Sequence, residues 1–247
     1  MSVGFSRSKR RGLAHNAAGA LHIGGLTALS TTDYPGQLSA VVFCQGCPWR
    51  CGYCHNPHLL ARRSRDEIPW KDIIALLDRR RGLLDAVVFS GGEPTLQAGI
   101  AGAMREVRQM GFRVGLHTAG IAPRHLTALL PLTDWVAMDI KAPFDAYATT
   151  TGRHASGESA FESMRLILAS GIDHEFRTTV HASLLPPDSL AQLAQSLAKL
   201  GVRNYVLQEF RALGCASAAL QDTASYLNEM FLHSMAPLFS SFSVRRA

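Results

Sequence analysis

Apolar positions along the chain fall into two alternating kinds of stretch. Short runs rich in β-branched residues predict strands at 38–43, 86–89, 113–118, 135–140, 174–180 and 204–209. Between them, apolar residues recur at helical spacing over 70–80, 96–110, 123–130, 158–169 and 187–200. Gly82, Gly111, Gly171 and Gly201 follow several of these stretches, where helices commonly end. Repeated strand and helix are the mark of βα units and a parallel sheet. Six strands with five clear helices are too few for a closed eight-stranded barrel, which leaves an open six-unit barrel or a doubly wound sheet. In both, ligands bind at the C-terminal strand ends. Chemistry is therefore expected at Cys44, Ser90-Gly91-Gly92-Glu93, Ala119-Gly120, Lys141, His181 and Arg211. Residues 1–20, rich in Ser, Arg, Gly and Ala without apolar periodicity, read as a disordered basic tail ahead of a single domain over 21–247.

Composition narrows the class. With 247 residues, 47% of them hydrophobic, the chain can bury one large core. No apolar run reaches the roughly eighteen residues that suggest a membrane span. The basic start MSVGFSRSKRRG is not followed by a signal-peptide apolar stretch, so a cytoplasmic location is expected. The net charge of +6 is spread over short groups: Lys9, Arg10 and Arg11; Arg62, Arg63 and Arg65; Arg79, Arg80 and Arg81; Arg245 and Arg246. Such groups read as solvated helix faces and frayed termini, or as attraction for anionic ligands or an acidic partner; without interleaved aromatics they argue against nucleic acid.

Four of the five cysteines lie in one short stretch, Cys44-x2-Cys47-x3-Cys51-x2-Cys54, and the fifth is Cys215 in "ALGCAS". A reducing cytoplasm disfavours structural disulfides and turns clustered thiols toward metal binding or redox chemistry. Four ligands would complete a tetrahedral zinc site or a closed iron–sulfur cluster, whereas three would leave one iron open. Zinc sites of this kind usually use two pairs a dozen or more residues apart. The crowded spacing does not exclude zinc, and a redox dithiol or inert thiols remain alternatives.

Cys47-Pro-Trp-Arg-Cys51-Gly-Tyr-Cys54 resembles the CxxxCxxC motif of the radical S-adenosylmethionine (SAM) enzymes. The resemblance implies that Cys47, Cys51 and Cys54 bind a [4Fe–4S] cluster whose fourth iron is left to the amino and carboxylate groups of SAM. Cys44 is then the odd thiol, read as a small buried residue, the alternatives being an incidental thiol near the cluster or a fourth ligand. Tyr53 matches an aromatic position that packs against the adenine. "YCHNP" at 53–57 is similar to activating enzymes for anaerobic ribonucleotide reductase and pyruvate formate-lyase, with His55 and Asn56 shaping the loop.

Three further motifs extend the resemblance. "VVFSGGEPTLQ" at 87–97 ends a strand with two glycines that permit close backbone approach and then a carboxylate. Its match to the GGEP motif implies that Gly91, Gly92 and Glu93 accept hydrogen bonds from the SAM ammonium; the plain alternative for Glu93 is a helix N-terminal charge. "VGLHTAG" at 114–120 is similar to a DTNG segment but departs from it at His117 and Ala119. A neutral imidazole is a poor ligand for a hard cation, so the monovalent-cation site of relatives is not carried over. His117 is expected as a hydrogen-bonding core residue and Thr118 as a SAM contact. In "WVAMDIKAP" at 135–143, Asp139 and Lys141 share one face of a strand, either as a buried ion pair or toward a ligand. The DxK resemblance implies the SAM carboxylate and ribose. Arg177 offers a further SAM contact, and His181, Gln208, Glu209 and Arg211 match the rim more loosely.

The resemblance spans about residues 22–212. It implies an α/β fold, an open partial (β/α)6 TIM-like barrel of the radical SAM type. It also implies reductive cleavage of SAM to a 5′-deoxyadenosyl radical without any protein acid or base. In the activating enzymes the hydrogen comes from a glycine of a glycyl-radical enzyme. The expected partner is anaerobic ribonucleoside-triphosphate reductase, the expected reductant a flavodoxin or ferredoxin, and neither membrane nor nucleic acid takes part. The rival readings are a radical SAM enzyme acting on another peptide or small molecule, and a zinc-stabilised binding module.

Overall fold

The computed structural model describes residues 21–215, 217, 219–221 and 225–246; the expected tail over 1–20 lies outside the described residues. One sheet holds eight strands in sequence order: β1 (Ile23–Ser30), β2 (Ser39–Cys44), β3 (Ala86–Gly91), β4 (Arg113–Thr118), β5 (Trp135–Asp139), β6 (Asp173–Val180), β7 (Asn204–Glu209) and β8 (Ser241–Arg245). β1 pairs antiparallel with β2, and every later pairing is parallel. The connecting helices are α1 (Trp70–Asp78), α2 (Ile100–Gln109), α3 (Pro123–Leu129), α4 (Tyr147–Thr151), α5 (Ser156–Ser170), α6 (Pro187–Lys199) and α7 (Glu229–Met235). No pairing joins β1 to β8 among the described residues, so the barrel is open.

Strands such as "SAVVFC" and "AVVFSG" are nearly continuous apolar runs because parallel strands are covered on both faces. Outward, Val42, Phe89, Leu116, Met138 and Phe176 pack with Ile73, Met104, Leu126, Met164 and Leu193 of the helices. Inward, a smaller cluster of Tyr34, Val41, Ala86, Val88, Trp135 and Ala137 closes the floor, with Tyr34 stacked on Trp135 at 5.0 Å.

All six predicted strands and five predicted helices are present, with shifted ends. The stretch expected as helix from 96 begins only at Ile100, because Pro94–Leu96 forms a separate 3-10 turn. The edge strands β1 and β8 escape the periodicity: "IGGLTALS" and "SFSVR" are half exposed, and β1 is broken by two register shifts. The sequence reading also passed over α4, which at five residues is too short to show a repeat, and the seven-residue α7.

Candidate active site at the strand ends

The cysteine loop leaves β2 at Cys44 and is laced at once to the end of β3. Gly92 N–H donates to the Cys44 carbonyl (2.8 Å) and Glu93 N–H to that of Gly46 (2.9 Å). This contact explains the double glycine. Gly91 has φ +113°, and a Cβ there would stand 2.4 Å from Cys44 N; a Cβ on Gly92 would stand 2.5 Å from the Gly46 oxygen. Gln45 ties the loop down further: its N–H donates to His22 O (2.8 Å), its side-chain amide to His58 O (2.8 Å), and its carbonyl accepts from the Gln97 amide.

Cys47, Cys51 and Cys54 are half buried, whereas Cys44 is sealed in the outer core. Burial pushes the Cys47 thiol up to about 12 and also raises Cys51, against the opposing pull of Lys141. Without metal these thiols are protonated, and metal binding releases the protons. Among the described residues no three Cys, His, Asp or Glu side chains close to the spacing one ion demands. A cuboidal cluster asks for a different arrangement, with separate thiolates on separate irons. Three half-exposed soft donors on a single loop fit it.

Glu93 is fully buried, with both oxygens engaged. One accepts from Thr95 Oγ1 (2.6 Å), Thr95 N–H (3.2 Å) and Thr118 Oγ1 (2.7 Å), and the other from Ala119 N–H (2.9 Å). Burial raises its carboxyl above the usual range while these donors pull the other way. Its visible work is to clamp the end of β3 to the end of β4, and Thr118 is drawn into that clamp.

A second group gathers across the mouth. Asp139 takes Lys141 Nζ on one oxygen and Arg177 Nε on the other, both at 3.2 Å. Burial alone would raise the Asp139 carboxyl, but the two cations outweigh it and hold it below the usual range. Lys141 Nζ also lies 5.5 Å from the centre of the buried Tyr53 ring. Behind Arg177, Glu175 is almost fully buried and pairs with Arg245 from β8 at 2.8 Å. The predicted site residues thus form two sets, Gly91-Gly92-Glu93-Thr118 and Tyr53-Asp139-Lys141-Arg177, with the cysteine loop in contact with both.

His117 sits between floor and mouth. Its Nε2–H donates to Asp33 O (2.8 Å), leaving Nδ1 to face Ser90 Oγ at 3.4 Å, and its ring meets Trp135 edge-on. Burial, reinforced by the Arg177 charge, lowers its pKa to about 3, so the ring is neutral. Among the looser rim candidates, His181 spends its nitrogens on Gln221 O and Ser183, and Glu209 pairs with Arg246. The Arg211 carbonyl accepts from His55 Nε2 at 2.8 Å, and Cys215 Sγ lies 3.7 Å from Gly52 O. The segment after β7 therefore folds back over the cysteine loop. Sequence reasoning passed over Tyr147, whose hydroxyl contacts the backbone of both Asp139 and Lys141; a lone tyrosine beyond a strand end carries no signal.

The match to known proteins follows this geometry. The family model described as Radical SAM superfamily matches residues 41–207. A Methanocaldococcus jannaschii protein bearing the name glycyl-radical enzyme activating enzyme is 32% identical over 199 residues, 76% of this chain and 79% of its own length. The pyruvate formate-lyase-activating enzyme of Clostridium pasteurianum is 32% identical over 145 residues, 56% of this chain and 60% of its own length. Among solved structures, a radical SAM methyltransferase from Sphaerobacter thermophilus superposes with a TM-score of 0.64 at 19% identity, covering 98% of this chain and 82% of that one. Streptococcus suis SuiB bound to S-adenosylmethionine gives 0.61 at 14% identity over 81% and 48%. The chain belongs to the radical SAM superfamily, within the family of glycyl-radical enzyme activating enzymes. Its cofactors are a [4Fe–4S] cluster and SAM. No helix among the described residues is long and apolar enough to cross a membrane.

Proposed function

We propose that this chain, acting through one domain over 21–247, generates a glycyl radical on an anaerobic ribonucleoside-triphosphate reductase, with a flavodoxin or ferredoxin as electron donor. In this reading Cys47, Cys51 and Cys54 hold the cluster. Asp139, Lys141 and Arg177 receive the carboxylate and ribose of SAM, Tyr53 faces the adenine, and the Gly91-Gly92 backbone with Glu93 and Thr118 borders the ammonium. Bound together, cluster and SAM supply a one-electron cleavage that delivers a 5′-deoxyadenosyl radical.

The residues of the chain bind and orient. Asp139 keeps two cations side by side at the rim, and their excess positive charge suits a carboxylate ligand. Glu93 fixes the β3 and β4 ends against the loop, which leaves the motif's backbone oxygens as the acceptors for an ammonium group. The single observation that carries the reading is the convergence of four separated motifs on one end of one open barrel. Anaerobic reconstitution with reductant tests it. Release of 5′-deoxyadenosine and an electron paramagnetic resonance (EPR) doublet of a glycine radical are expected when the reductase is added. Release without radical transfer to any glycyl-radical enzyme would assign the chain to another peptide or small-molecule substrate.

A further inference from the structure

Past Thr118, β4 no longer runs beside β5: the last paired residues are Thr118 and Met138. On the other side β6 still serves the strand, since Ile140 N–H donates to Arg177 O and Ile140 O accepts from Thr178 Oγ1. The backbone groups of Asp139 and Lys141 alternate to the vacated side. There the Tyr147 hydroxyl takes the place of the missing strand, accepting from Lys141 N–H (2.9 Å) and donating to Asp139 O (3.2 Å). The side chain is fully buried, and its ring stacks on Phe144.

The same short helix grips the cysteine loop. The Tyr147 ring meets Trp49 edge-on at 5.8 Å, Arg50 N–H donates to Thr151 O (2.8 Å), and Arg153, just past the helix, donates to Pro48 O (3.2 Å). Pro48, Trp49 and Arg50 are the three residues between Cys47 and Cys51. Thr151 Oγ1 closes the helix by donating to Tyr147 O and meeting Ser156 Oγ at 2.7 Å.

We infer that Tyr147 is a positioning residue that registers the Asp139–Lys141 pair against the cysteine loop and so sets where SAM lies relative to the cluster. The inference rests on the reading of Asp139 and Lys141 as SAM contacts. Removing the hydroxyl takes the partner from two half-buried backbone groups and frees the strand end to shift.

The test uses the full chain, anaerobically reconstituted, as Tyr147→Phe beside Tyr205→Phe. Tyr205 is the control, equally buried, with its hydroxyl bonded to Thr178 Oγ1 at 2.7 Å, so that it reaches β5 only through β6 and makes none of the contacts to the cysteine loop described for Tyr147. Both variants are expected to load iron fully and to lose melting temperature. Tyr147→Phe alone weakens equilibrium SAM binding by about five- to tenfold and alters the EPR line shape of the reduced cluster when SAM is present, while the SAM-free spectrum stays that of the wild type. Thr151→Val, which loosens the helix but keeps the phenol, gives a milder form of the same shift. SAM affinity at the wild-type value in both Tyr147→Phe and Thr151→Val, or an equal loss in Tyr205→Phe, overturns the proposal. Lys141→Ala separates the two levels: unchanged SAM affinity there removes the underlying contact, whereas weakened affinity there with none lost in Tyr147→Phe removes the coupling alone.

Discussion

On β5 the inward positions read Trp135, Ala137, Asp139, and Lys141 follows at the rim. The first two belong to a floor of stacked aromatic and aliphatic side chains. The next two belong to a mouth where Arg245, Glu175, Arg177, Asp139 and Lys141 alternate in charge. Within a few residues the period-2 face of one strand passes from hydrocarbon to ions. The floor needs only to be filled, and its contacts are complete within the chain. The mouth carries cations in excess over their carboxylates, an arrangement that is costly when buried unless a ligand shares it. Stability should therefore reside at one end and function at the other, and substitutions at each end should separate the two.

The largest separation is expected among the thiols. Cys51→Ala should abolish 5′-deoxyadenosine release with little effect on folding, because the residue sits on a half-exposed loop. Cys44→Ala removes a sulfur from the sealed outer core and should leave release largely intact while lowering the melting temperature. Anaerobic release assays on both proteins check this, and equal loss from both would refute the division of the thiols.

At the floor, Trp135→Ala removes a side chain only 5% exposed that stacks on Tyr34 and meets His117. The expected cost is about 3–5 kcal/mol of stability by chemical denaturation, with the KM for SAM unchanged in the protein that remains folded. A raised KM at full stability would reverse the assignment of floor and mouth.

The two ends also differed in how much the sequence disclosed. The mouth's components could be read in part from chemistry, as a cluster of thiols and as opposite charges that end the apolar run of β5, and in part only from the resemblance, which separated the cysteine triplet from Cys44 and singled out the double glycine before Glu93. What joins them could not be read. The Glu93 clamp depends on β3 and β4 ending side by side, so a residue expected to meet a ligand is found with both oxygens occupied by Thr95, Thr118 and Ala119. Tyr147, Gln97 and the Asp33 carbonyl act across 8, 52 and 84 positions of chain. Only the folded sheet brings such positions together. The strands that failed to register, β1 and β8, are edges, where exposure dilutes the apolar pattern; β8 nevertheless supplies Arg245 to Glu175 in the interior.

His117 lies on the boundary and gives the smallest, most local test. Its ring is neutral when folded, with a pKa of about 3 against an ordinary 6.5. Below the ordinary value the unfolded chain takes up a proton that the folded chain refuses. This residue's share of stability is therefore whole above that value and declines as the pH falls toward about 3. Between about pH 7.5 and 5.5 the loss amounts to about 1.4 kcal/mol. Glutamine at this position keeps a neutral donor for the Asp33 carbonyl and cannot be protonated in this range. Denaturation midpoints of His117→Gln should accordingly fall less than those of the wild type over the same interval, by about 1 kcal/mol in free energy. An identical pH dependence in the two proteins would mean that the imidazole is charged in place, and that the hydrocarbon floor ends below it rather than around it.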